Sequence, residues 1–174
     1  MDFALLILRL TLGTLLAGHG SQKLFGWFKG PGLQGTRGMM GSLGMEPSKA
    51  WGTIAAVGET TGGLFTALGL FSPLGPLNIA ATMTVATRRV HWKTPVWVSE
   101  GGAELAATNL AASLLLAIAG PGRFSLDRLF GIRAPKWLAG LLWLQTVAVT
   151  AAAVQRPQIA QTILDKVNSV TGKG

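Results

Sequence analysis

Apolar residues gather into five blocks, 3–20, 51–70, 73–87, 103–120 and 137–154, divided by segments rich in glycine, proline and basic residues. Within each block they run almost continuously, without the one-face-in-two spacing of a helix on a water-soluble core. Most blocks reach the about 17–25 residues needed to cross a bilayer as a helix. The third is shorter, about 22 Å at about 1.5 Å per residue, and needs the snorkelling side chains of Arg88 and Arg89 to reach an interface. The pattern predicts an all-α, polytopic transmembrane bundle: four core helices, a fifth helix, and a tail in which Ile159, Ile163, Val167 and Val170 recur at helical spacing.

The connections refine this. Ser72-Pro73-Leu74-Gly75-Pro76 leaves room for a tight hairpin alone, so the second and third helices are antiparallel neighbours. Residues 21–50 are long, glycine-rich and basic, with Phe25, Trp27, Phe28, Met39, Met40, Leu43 and Met45 scattered through them, a composition suited to the interface. Gly58 and Gly62 form a small-xxx-small pair, best read as packing within one bundle. No basic region precedes the first block, so it reads as a retained helix, with Asp2 placed to cap it. The organisation is a membrane domain over 1–131 and an extension over 132–174 carrying the fifth helix and the tail.

Hydrophobic residues make up 49% of the 174 and charged residues 13%, while the net charge is +8. In a soluble protein such a charge points to nucleic acid, but here the basic residues sit between apolar blocks, where they set topology and meet anionic lipid. No nucleic acid partner is expected. If all five blocks span, segments 21–50, 88–102 and 155–174 share one side and hold ten Lys and Arg, against four, Arg123, Arg128, Arg133 and Lys136, on the other. That places the first side in the cytoplasm, as in a multi-pass protein of the inner (plasma) membrane. The absence of cysteine excludes disulfides, iron–sulfur clusters and thiolate metal sites carried by this chain.

Arg9 interrupts the first apolar block. A guanidinium near the centre of a bilayer costs at least about 2.5–3.5 kcal/mol unless paired, so a partner is expected. Counting helical rise, Arg9 lies about 15 Å below the face where His19 emerges, and Glu59, eight residues into the second block, about 12 Å below it. The matching depths predict an Arg9–Glu59 pair inside the bundle. Above it His19, Lys23, His91 and Glu104 would form a polar funnel, with Trp51, Trp92 and Trp97 nearby as an aromatic belt. No HxxxH or ExxH spacing occurs, so no metal is expected. A charged pocket below the interface suits the head group of a quinone or another amphipathic molecule, with no intrinsic cofactor.

Arg9-Leu10 with Gly13, His19-Gly20 with Lys23 and Phe25-Gly26, Glu59 with Gly62-Gly63 and Leu68-Gly69-Leu70, Val90-His91, Gly101-Gly102 with Glu104, and Gly120 through Asp127 follow one another in an order and spacing that resembles the DoxX family of small bacterial and archaeal membrane proteins. The resemblance covers roughly residues 5–131 and implies a four-helix bundle, from which the fifth apolar block and tail depart. It also implies a link to redox complexes: DoxX-like proteins are associated with thiosulfate:quinone oxidoreductase and with a membrane complex joining thiol homeostasis to oxidative-stress defence. Two readings follow. In one, the chain is a quinone-linked oxidoreductase subunit working with other membrane or peripheral subunits. In the other it is a non-catalytic structural or assembly subunit docked through its fifth helix and tail. A small-molecule transporter is disfavoured, since there is no internal repeat.

Overall fold

The structure is a computed structural model and describes residues 1–155 together with Thr162, Lys166 and Ser169. The expected amphipathic tail, with Ile159, Ile163, Val167 and Val170, lies outside the described residues. Among the described residues all regular structure is helical: α1 (Asp2–Phe25), α2 (Gly32–Ser42), α3 (Ser48–Leu68), α4 (Leu74–Arg89), α5 (Glu104–Ala119), the single turn α6 (Leu126–Leu129) and α7 (Lys136–Gln155). Each apolar block becomes one helix. Two of them, Asp2–Phe25 and Trp137–Gln155, are by themselves long and apolar enough to cross a membrane, and the apolar Glu104–Ala119 is shorter.

The α1–α3 seam is the closest helix contact of the fold, and glycine makes it so. A Cβ on Gly13 would come within 2.7 Å of the Ala67 Cα, one on Gly63 within 2.7 Å of the Ala17 Cα, and one on Gly20 within 2.5 Å of the Thr60 Cα. These three approaches define one antiparallel register, in which each step up α1 matches a step down α3. Continued along the seam, it sets Arg9 level with the end of α3 and Glu59 level with Ser21. Gly62 faces α4 instead, where a Cβ would lie 2.9 Å from the Asn78 Cβ, and Gly58 has nothing within 4 Å. Of the small-xxx-small pair, therefore, one member packs inside the bundle and the other is open.

The remaining helices build outward from this pair. α3 and α4 are joined by the hairpin at Ser72–Pro76, α4 packs on α5, and α7 rests on α4. Leu5, Leu12 and Leu16 of α1, Ile79 and Met83 of α4, and Ala106 and Leu116 of α5 form the main apolar core. A second cluster joins Met40 and Met45 to Trp51 and Ala153, tying the 21–50 connection to the far end of α7. That connection is more ordered than its composition suggests. The Thr36 hydroxyl donates to the Lys23 carbonyl at 3.1 Å, and Arg37 Nη2 donates to Thr53 Oγ1 at 3.0 Å, so α2 is fastened to both α1 and α3. Asp2 does not cap α1: its Oδ1 accepts from the Arg123 amide at 2.9 Å and binds the start of the chain to the turn after α5.

Candidate functional site

Lys23 and Glu59 meet where α1, α2 and α3 converge. The Lys23 ammonium donates to Glu59 Oε2. The carboxylate side chain is 3% exposed and the lysine 28%, so one partner is dry and the other reaches the rim. A buried carboxylate needs such a partner, because leaving it unpaired costs several kcal/mol (about 3–5). Gly20 explains the placement: by letting α1 and α3 approach at Thr60 it brings Lys23, one turn later, within reach of Glu59.

This pair closes one end of a cavity of about 100 Å³, walled mainly by Met39, Met40, Met45, Trp51, Ala55 and Val85. Arg89 of α4 lies at its margin, its Nε donating to the Ala153 carbonyl at 3.2 Å. The Thr150 hydroxyl, from α7, is buried beside the cavity with no hydrogen-bond partner among the described residues. The volume is somewhat below the about 150 Å³ that admits benzene in an engineered core. Methionine is unbranched and polarisable, so the walls can adapt to a flat ring. An ammonium, a carboxylate and an uncommitted hydroxyl thus border an otherwise apolar space, a setting for a molecule with a polar head and an apolar body.

The other expected members are elsewhere. His19 is exposed on α1. His91 Nδ1 lies 2.5 Å from the Gly101 carbonyl, and Glu104 Oε2 accepts from the Val98 amide at 3.0 Å, so both are used to fold the α4–α5 connection. All of them lie at the same end of the bundle as Lys23, but of the four funnel residues the cavity takes Lys23 alone. Of the tryptophans, Trp51 is buried against the cavity, while Trp92 and Trp97 are exposed, Trp92 beneath the Arg88 guanidinium at 4.6 Å.

The expected Arg9–Glu59 pair does not form. In the α1–α3 register the two lie about twelve residues apart along the seam, about 18 Å at about 1.5 Å per residue. The depth count failed because it started both helices at the same level, whereas α1 continues to Phe25 and α3 begins at Ser48. Arg9 is 2% exposed and donates through Nη2 to the Phe124 carbonyl. Its Nε and Nη1 are buried with no hydrogen-bond partner among the described residues. Gly69 makes room for the guanidinium: it has φ +63°, and a Cβ there would run into Arg9 Nη1.

Asp127 stands at the same end of the bundle as Arg9. Its carboxylate accepts from the Phe71 and Ser72 amides, both at 2.8 Å, while its own amide donates to the Gly69 carbonyl at 3.0 Å. One aspartate therefore clasps the α3–α4 turn from the segment after α5, and Arg9 lies beneath the clasp. The signal available in the sequence was a lone carboxylate among glycine, proline and serine in a short connection at the Arg9 end.

The DoxX family model matches residues 4–92, just over half of the chain. Arg9, His19, Lys23, Glu59 and His91 fall inside the match, and Glu104 and Asp127 beyond it. No curated protein and no solved structure matches the chain. With its apolar helices and this match, the chain is a membrane protein and belongs to the DoxX family.

Proposed function

We propose that this protein is a multi-pass subunit of a redox complex in the plasma membrane and that it binds a quinone head group in the Lys23–Glu59 cavity. The observation that carries this reading is a dry carboxylate–ammonium pair set at the end of an apolar, methionine-walled space. Reduction of a quinone takes up two electrons and two protons. Lys23, at the rim, is placed to exchange protons with water and to donate to one quinone oxygen, while Glu59 holds the ammonium in position. The chain has no cysteine and no nucleotide-binding motif, so the electrons come from a carrier on a partner subunit.

Five helices, α1, α3, α4, α5 and α7, run alternately up and down the bundle and support a multi-pass arrangement. Lys23, Lys29, Arg37 and Lys49, with Arg88, Arg89 and Lys93, lie at the cavity end, which the charge rule assigns to the cytoplasm.

The test is purification in mild detergent followed by mass spectrometry of the extracted lipids and any retained proteins. Quinone should copurify with the wild type and fall at least about tenfold with Glu59→Gln, since a buried charge-assisted contact contributes about 1.5–3 kcal/mol. Recovery of the wild type without quinone, together with no change in Trp51 fluorescence on adding quinone, would overturn the reading.

A further inference from the structure

We infer that the cleft between α4, α5 and α7 holds an anionic phospholipid, with its phosphate at Arg128 and Arg133 and one acyl chain lying along the groove toward Val154. The site is distinct from the quinone cavity, though it rests on the same embedding of the bundle in a membrane.

α7 packs on α4 and stands away from α5. The space left is a groove of about 380 Å³ between Ala80 and Thr84 of α4, Leu110 and Leu114 of α5, and Val147 and Val154 of α7. From Trp143 to Val154 the groove follows eleven residues of α7, about 16 Å at about 1.5 Å per residue and about half of the about 30 Å hydrocarbon core. Spread over that length, the volume makes a slender groove, which suits a hydrocarbon chain.

At Trp143 the groove meets a second pocket of about 470 Å³, which contains Arg128 and Arg133. Neither guanidinium has a carboxylate or hydrogen-bond partner among the described residues. Asp127 borders the same pocket, but both its oxygens are taken by the Phe71 and Ser72 amides. Two arginines at the mouth of an apolar channel complement a phosphate and an acyl chain, and Trp143 lines both spaces.

The test uses the full chain in nanodiscs containing brominated phosphatidylglycerol or brominated phosphatidylcholine at equal mole fraction. The fluorescence of Trp143 is read as the difference between the wild type and Trp143→Phe. Brominated phosphatidylglycerol should be enriched about tenfold over phosphatidylcholine at this site. The preference should vanish in Arg128→Ala/Arg133→Ala and persist in Arg128→Lys/Arg133→Lys. Should the alanine variant not fold, the wild-type preference must still decline as salt rises. Equal quenching by the two lipids overturns the proposal, as does an absence of quenching by either while exposed Trp137 is quenched. If Trp137 is not quenched either, it is the embedding itself that fails.

Discussion

The Lys23 ammonium meets the Glu59 carboxylate one turn beyond the point where Gly20 of α1 touches Thr60 of α3. A glycine contact and an ion pair thus belong to one device. The backbone approach sets the register, and the register decides which charges can meet. Arg9, on the same helix, is carried to the other end of the seam, where it donates to the Phe124 carbonyl.

Lys23→Met should destabilise the protein by about 3 kcal/mol, the low end for a broken buried pair because the lysine is partly exposed. Lys23→Met combined with Glu59→Gln should cost less than the sum of the two single changes. Arg9→Met combined with Glu59→Gln should instead be additive within about 0.5 kcal/mol, since the two sites share no partner. Thermal unfolding in detergent checks both cycles, and strong coupling in the second would refute the register.

Gly63→Ala and Gly58→Ala should have opposite effects. At Gly63 the methyl group has to displace the backbone of Ala17, an overpacking expected to cost about 1–3 kcal/mol. At Gly58 nothing lies within 4 Å, and removing a helical glycine should stabilise by about 0.5–1 kcal/mol. Melting temperatures of the two variants under one detergent condition decide the matter.

Asp127→Ala should open the clasp over Arg9. Two charge-assisted hydrogen bonds to the Phe71 and Ser72 amides are lost, each of about 1.5–3 kcal/mol, so a loss of about 3 kcal/mol or more is expected. Hydrogen exchange of the Phe71 and Ser72 amides should accelerate in this variant while the Lys23 end stays protected. Unchanged exchange would show that the aspartate does not hold the turn.

Ala55→Phe should fill the cavity beside Lys23 and Glu59, since Ala55 lines it one helical turn before Glu59. Copurified quinone should then fall while the melting temperature changes little. Met45→Leu, close to volume-conserving, should cost less than about 1.5 kcal/mol and leave quinone content near that of the wild type.

The helices themselves were legible in the chain. The blocks read as 51–70 and 103–120 are the helices Ser48–Leu68 and Glu104–Ala119, because long apolar runs bounded by glycine and proline have few other solutions. The apolar residues of 21–50 and Trp51 were legible too, but not that Met40, Met45 and Trp51 turn inward to wall a cavity. Composition reports that such residues are apolar. It does not report which surface they meet.

Sequence alone determined the all-helical class, the charged interruptions in apolar helices, and the identity of the ionisable residues that need partners. Tertiary structure decided which partner each received. A slide of α1 against α3 by two or three turns leaves the hydrophobic pattern of both helices unchanged, so periodicity holds no information about it. The slide is chosen by steric contact at Gly13, Gly20 and Gly63, where backbones can touch and elsewhere side chains keep them apart. That contact moved Glu59 from Arg9 to Lys23, and left Arg9 to be met by a segment more than a hundred residues away along the chain.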